Sequence, residues 1–172
     1  MAINNNNSIV PPFLKKNDLI EIIATAKYVS KSDVVFSIKM IEKIGFKVKI
    51  EKNLFNKHNV FSGTIEQRKN YLQQALDNTD VKAILFARGG YGSIHIIDQL
   101  DFSIFRKNPK WLIGFSDITI IVECKVPTLS IRQSRVKVIS TRVTGFHTSQ
   151  RHVLIATGRW CSLAGGAQSA FC

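Results

Sequence analysis

The segment Val81 to Ala87 (VKAILFA) is a short apolar run that passes without a break into Arg88-Gly89-Gly90-Tyr91-Gly92. Apolar runs of this length, bounded by turn residues, read as strands buried on both faces. A second such run, Leu19 to Ala24 (LIEIIA), follows Asp18, and a third, Lys110 to Phe115 (KWLIGF), ends on Ser116-Asp117. Helix-period segments lie between them. Ser30 or Ser32 can cap a helix running to about Ile44, with Val34, Ile38 and Ile41 inward and Gly45 as its stop. Thr64-Ile65-Glu66-Gln67 has the spacing of a capping box, and the helix it opens would turn Tyr71, Leu72, Ala75 and Leu76 inward and fray near Asn78. Phe46 to Ile50 (FKVKI) alternates like a half-exposed strand, and Ser93 to about Gln99 suits a short helix. The alternation predicts an α/β fold: a mostly parallel sheet flanked by helices. Ligands of such sheets sit beyond the carboxyl ends of the strands. Both candidate loops fall there.

Composition narrows the function classes. Hydrophobic residues make up 45% and charged residues 21%, a globular balance. No apolar run approaches the roughly 18 residues of a membrane span. Residues 1–10 are expected to be disordered, and their polar, asparagine-rich start lacks a secretory pattern, which makes the cytoplasm the expected address. The formal charge of +12 raises the question of nucleic acid. Residues 1–121, however, carry 17 Lys and Arg against 11 Asp and Glu, scattered as solvated surface charge is. Neither nucleic acid nor membrane is expected as a partner. Cys124, Cys161 and Cys172 have no CxxC spacing and are odd in number, so neither a zinc site nor a disulfide framework follows.

Two loops can carry chemistry. In Gly89-Gly90-Tyr91-Gly92, glycines allow positive φ and let a ligand approach backbone N–H groups, which can hold a phosphate or a developing oxyanion. The alternative is a plain strand-to-helix turn; the Gly-Lys-Ser/Thr ending of a Walker loop and GxGxxG are both absent. In Gly114-Phe115-Ser116-Asp117, a serine between strand and helix can be presented as on a nucleophile elbow, although Ile118 stands where GxSxG has its second glycine. The alternative for Ser116 is a helix cap. Together, 26 residues apart on successive strands, Gly90 and Ser116 could set a backbone donor and a hydroxyl around one carbonyl. Serine needs a base. His95 reads as a surface or packing residue, and His58 has no carboxylate at a telling spacing. A small α/β module that binds phosphate or nucleotide through Gly89 to Gly92 is the other function these residues allow.

The combination resembles a known family. Pro11-Pro12-Phe13-Leu14-Lys15-Lys16-Asn17-Asp18 ahead of a strand ending in Ala24-Thr25-Ala26, then ARGGYGS (Ala87 to Ser93), LDF (Leu100 to Phe102) and PKWLIGFSDIT (Pro109 to Thr119) resemble, in order and spacing, the LD-carboxypeptidases. These are murein tetrapeptide carboxypeptidases and relatives that hydrolyse microcin-type conjugates. The resemblance covers roughly residues 10–121. It implies a glutamine-amidotransferase-like N-terminal domain over 11–121. It implies Ser116 as nucleophile and the amides of Asp117 and Gly90 as an oxyanion hole, with Gly89, Tyr91 and Gly92 beside the substrate. The reaction implied is release of the terminal D-alanine of a muropeptide through an acyl-enzyme, without metal or other cofactor, and relatives suggest a homodimer. The family's triad is completed by a glutamate and a histidine of the C-terminal domain, for which no position here matches.

Residues 122–172 leave this pattern. Arginine supplies 5 of their 7 basic residues, against 3 of 17 before, asparagine disappears, Glu123 is the single acidic residue, and all three cysteines fall here. A shifted reading frame, a gene-model error or a fused remnant would produce such a change, with the family pattern truncated before the second domain. A divergent small extension is the other reading. Val136, Val138 and Val153 to Ile155 suit short strands without evident partners, and no carboxylate stands ready to orient His147 or His152 as a replacement base.

Overall fold

The apolar runs become parallel neighbours. The computed structural model describes residues 11–121, together with the backbone of Ile139–Ser140 and His152–Val153. Strand β1 (Leu19–Ile23) pairs in parallel with β2 (Lys47–Ile50) on one side and with β3 (Val81–Phe86) on the other, and β4 (Trp111–Ile113) pairs in parallel with β3. The order is β2-β1-β3-β4, so β1 and β3 are central and are buried on both faces. β2 is an edge strand of alternating lysines, Lys47 and Lys49.

Side chains of successive strand residues point to opposite faces, which divides the core in two. Ile20 and Ile22 of β1 with Ala83 and Leu85 of β3 meet Val34 and Ile41 of α1 (Lys31–Lys43). Ile23, Ile84 and Phe86 meet Leu72, Ala75 and Leu76 of α2 (Ile65–Asp77), with Phe102 and Phe105 beside them. Each fully buried leucine or isoleucine stabilises by roughly 1.5–3 kcal/mol.

The helix signals hold locally. Ser30 caps α1, its amide donating to Asp33 Oδ2 at 3.0 Å, and Gly45 ends it at φ +96°. At α2 the capping box is complete: Gln67 N–H donates to Thr64 Oγ1 at 3.2 Å and Thr64 N–H to Gln67 Oε1 at 2.9 Å. Two segments differ from expectation. Ser93–Gln99 forms two successive 3-10 turns, Ser93–His95 and Ile97–Gln99, rather than one helix. Ser93 is tied at one end by Asp117 and Thr25, and Asp101 is held at the other by Gln73, so the link is drawn tight. Helix α3 (Ser103–Lys107) was not anticipated; Asp101 Oδ1 starts it by accepting the Ser103 N–H at 2.8 Å.

The expected disorder of residues 1–10 lies outside the described residues. So does the divergent segment outside Ile139–Ser140 and His152–Val153, including the strands expected at Val136 and Val138. Its described backbone pairs β5 (Ile139–Ser140) with β6 (His152–Val153) in a two-residue antiparallel ladder. No helix of the described residues is long and apolar enough to cross a membrane.

Lys110 is buried to 3% exposure at the end of α2, where its ammonium donates to the carbonyls of Ala75 (3.0 Å) and Asn78 (2.5 Å). A cation suits a helix C-terminus, yet burial still pushes its pKa down to about 8. Below about pH 8 folded and unfolded chains both hold the proton. Between about 8 and the ordinary 10.5 the unfolded chain holds it and the folded chain releases it, so this group's contribution to stability rises with pH. The difference in unfolding free energy between wild type and Lys110→Met should therefore grow in favour of wild type over that window, read by denaturant unfolding at several pH values. A flat difference would show that Lys110 keeps an ordinary pKa.

Candidate active site

The carboxyl ends of β3 and β4 bring the two loops into contact. Because the strands are parallel neighbours in register Ala83↔Trp111 to Leu85↔Ile113, the residues that follow them emerge side by side. Gly89 shows how closely. A Cβ built on it would lie 2.9 Å from the Phe115 carbonyl oxygen and 3.2 Å from Ser116 Cβ. No side chain fits there, so glycine is required by the contact itself.

Ser116 opens the 3-10 turn Ser116–Ile118 with φ +58°, in the left-handed region that a serine rarely occupies. Two neighbours hold this bend. Gly114 makes room for Ile118, whose Cγ atoms stand 3.0 Å from where a Cβ would be, and Thr119 Oγ1 donates to the Ser116 carbonyl at 2.6 Å. The Ser116 side chain is exposed and has no hydrogen-bond partner among the described residues. The capping alternative is thus not the one adopted. The bend costs on the order of 1–3 kcal/mol and turns an unengaged hydroxyl outward.

Asp117 follows Ser116 in the chain, and Gly90 follows the Gly89 that packs against the Ser116 Cβ. Within the described residues no hydrogen bond occupies either N–H. Gly90 is exposed with φ +127°, and the stem of Lys27 lies against it, Cγ 2.8 Å from a built Cβ. The Asp117 side chain does structural work, since its Oδ2 accepts the Ser93 N–H at 2.7 Å and fastens the end of the glycine loop to the serine loop. Tyr91 is 55% exposed and stands edge-on to the His95 ring at 5.1 Å. Gly92, at φ +126°, is buried against Arg68 and Phe61. The glycine loop leads into 3-10 turns, not into an α-helix, so it lacks the helix dipole that favours a phosphate.

Arg68 was missed by the sequence reading. It is 1% exposed, and its Nη1 donates to Thr25 O at 2.7 Å and Gly92 O at 2.9 Å, while the guanidinium lies 4.7 Å over the Phe61 ring. Burial lowers its pKa and the charge of Asp117 opposes that shift. A signal was present: Arg68 sits on the same stripe as Tyr71, Leu72, Ala75 and Leu76, where a surface arginine does not belong. Thr25 and Ser93, whose buried hydroxyls lie 3.1 Å apart, complete the support behind the loop.

A family model for the LD-carboxypeptidase N-terminal domain matches residues 20–129. The chain belongs to the LD-carboxypeptidase family. A probable murein peptide carboxypeptidase of Bacillus subtilis is 35% identical over 111 residues, 64% of this chain and 35% of that protein. The chain therefore matches about a third of the length of such relatives. Among solved structures, an MccF-like protein from Bacillus anthracis is 32% identical with a TM-score of 0.62, covering 66% of this chain and 36% of the other. A muramoyltetrapeptide carboxypeptidase from Oxalobacter formigenes is 33% identical with a TM-score of 0.52, covering 59% and 34%. The expected fold, a parallel sheet flanked by helices matching the N-terminal part of these proteins, is the one observed.

The strain at this LD-carboxypeptidase serine can be measured. Ser116→Gly and Ser116→Ala both remove the hydroxyl, but glycine accepts φ +58° freely, so the glycine variant should be the more stable by about 1 kcal/mol. Gly89→Ala should destabilise by about 2 kcal/mol through its clash with a backbone oxygen. Equal stabilities of the two Ser116 variants would mean that the bend is not strained.

Proposed function

We propose that this chain carries the nucleophile and oxyanion half of a serine carboxypeptidase that removes the terminal D-alanine from murein tetrapeptides. The observation that carries the reading is Ser116 itself: exposed, without a hydrogen-bond partner among the described residues, bent into left-handed backbone, and packed against Gly89 of the glycine loop. The names of the relatives supply the substrate class. Ser116 Oγ attacks the carbonyl carbon between the L-centre and D-alanine. The carbonyl oxygen takes up the negative charge between the amides of Gly90 and Asp117, where each donor is worth about 2.7–4 kcal/mol to the transition state. The C–N bond then breaks, D-alanine leaves with a proton on its nitrogen, and water hydrolyses the ester left on Ser116.

The proton of Ser116 needs an acceptor, and no histidine or carboxylate among the described residues is hydrogen-bonded to the hydroxyl. The family places a glutamate and a histidine for this task in the C-terminal domain. Without them the oxyanion hole and binding retain only a small part of the rate advantage. The 172-residue chain on its own is accordingly proposed to turn over poorly.

A boronic acid tests the site without requiring a base, because boron accepts a serine oxygen directly. A peptide boronate with an L-configured diamino acid at the reacting end should form one adduct per chain, detected by intact mass, more readily than its D-epimer, and none with Ser116→Ala. An adduct that persists in Ser116→Ala, or none at millimolar boronate, would remove the peptidase reading.

A further inference from the structure

A third strand, β1, also delivers a residue to the glycine loop. Ile23 of β1 and Phe86 of β3 are paired in register, and Lys27 and Gly90 each lie four residues beyond that pair. There they meet. The Lys27 stem packs on Gly90 so closely that a Cβ built on the glycine would stand 2.8 Å from Lys27 Cγ and 3.3 Å from its Cε. One residue earlier in the same loop, Gly89 packs against Ser116 Cβ. Across the sheet the order is therefore a cation after β1, the glycine loop after β3 and the serine after β4.

The backbone around this lysine is fixed. Ser62 N–H donates to Ala26 O at 3.0 Å, Lys27 forms an antiparallel bridge with Phe61, and Tyr28 N–H donates to Val60 O at 3.2 Å. Arg88, just ahead of the glycines, donates from Nη1 to Tyr28 O at 3.2 Å and ties the two loops together. The charged end is not tied. Lys27 is exposed, and its ammonium has neither an ion pair nor a hydrogen bond among the described residues. A lysine whose stem is held by packing while its ammonium lacks a protein partner is suited to receive an anion.

The last bond of a peptide differs from every other by one feature: the residue that leaves carries a free carboxylate, one Cα away from the scissile amide nitrogen. A serine hydroxyl and backbone amides do not read that feature. A cation beside the same loop does.

We propose that Lys27 receives the free carboxylate of the departing D-alanine and thereby directs cleavage to the last bond. The inference rests on the serine carboxypeptidase reading of Ser116. It also orients the substrate: the terminal residue lies toward the end of β1, and the rest of the peptide runs from Ser116 in the opposite direction. The other cations nearby are less suited, since Arg88 spends one nitrogen on Tyr28 and Lys57 lies 4.4 Å over the Tyr28 ring.

NMR titration of the isotope-labelled 172-residue chain with a murein tetrapeptide ending in D-alanine, and with the same peptide ending in D-alaninamide, tests this. Both should shift the glycine-loop amides saturably, the acid with roughly three- to fivefold tighter half-saturation, the scale of one exposed ion pair. Added salt should shrink that preference. Lys27→Met should abolish it and Lys27→Arg should keep it, with the strand amides unmoved as the check that each variant is folded. Equal affinity for acid and amide in the wild type, no saturable binding of either, or a preference that survives Lys27→Met would each overturn the proposal. The boronate carries no leaving group, so its adduct with the wild-type chain reports on Ser116 alone. An adduct without an acid preference removes the role of Lys27 and leaves the peptidase reading standing, whereas no adduct removes both.

Discussion

The site depends on one buried cation. Arg68 reaches inward from α2 and holds the carbonyls of Thr25, just past β1, and Gly92, at the end of the glycine loop after β3. Three elements distant in sequence are thereby fixed to one guanidinium. Each of these hydrogen bonds involves an ionised donor and is worth more than a neutral pair. Asp117 extends the tie to the serine loop through Ser93 N–H. Removal of Arg68 would leave two carbonyls and a carboxylate without their counter-charge behind the loop, a loss larger than that of a surface residue.

The loops themselves are shaped by exclusion. Gly89 meets the Phe115 carbonyl so closely that any side chain is barred, and Gly114 yields the volume that Ile118 fills. These contacts force Ser116 into its bend. The arrangement concentrates strain at one residue while the sheet beneath it, with Ile22, Ile23, Ala83 and Ile84 fully buried, supplies the stability that sustains it. What results is a serine held in left-handed backbone against the glycine loop.

Much of this was readable from residues alone, because the strands are pure apolar runs and the helix α2 carries its capping box in four consecutive letters. The approach of the glycine loop to the serine loop, seen at Gly89, followed from parallel strands placing their ends together. Other parts were hidden for physical reasons. The segment Ser93–Gln99 has helix-compatible residues, but hydrogen bonds to Thr25, Gln73 and Asp117, all remote in sequence, tighten it into 3-10 turns. Helix α3 rests on a local Asp101–Ser103 bond that a hydrophobic pattern does not register. Arg68 was overlooked because a lone arginine among lysines reads as surface charge, although its place on the apolar stripe gave its burial away.

The amides of Gly90 and Asp117 are proposed to face the same point as the Ser116 hydroxyl. The direct measurement is the amide NMR spectrum of the chain with an L-configured boronate bound at Ser116, where a negatively charged boron-bound oxygen stands in for the oxyanion. The Gly90 and Asp117 N–H resonances should both move strongly downfield while those of β1 and α1 stay in place. An adduct on Ser116 that leaves both resonances unmoved would contradict it.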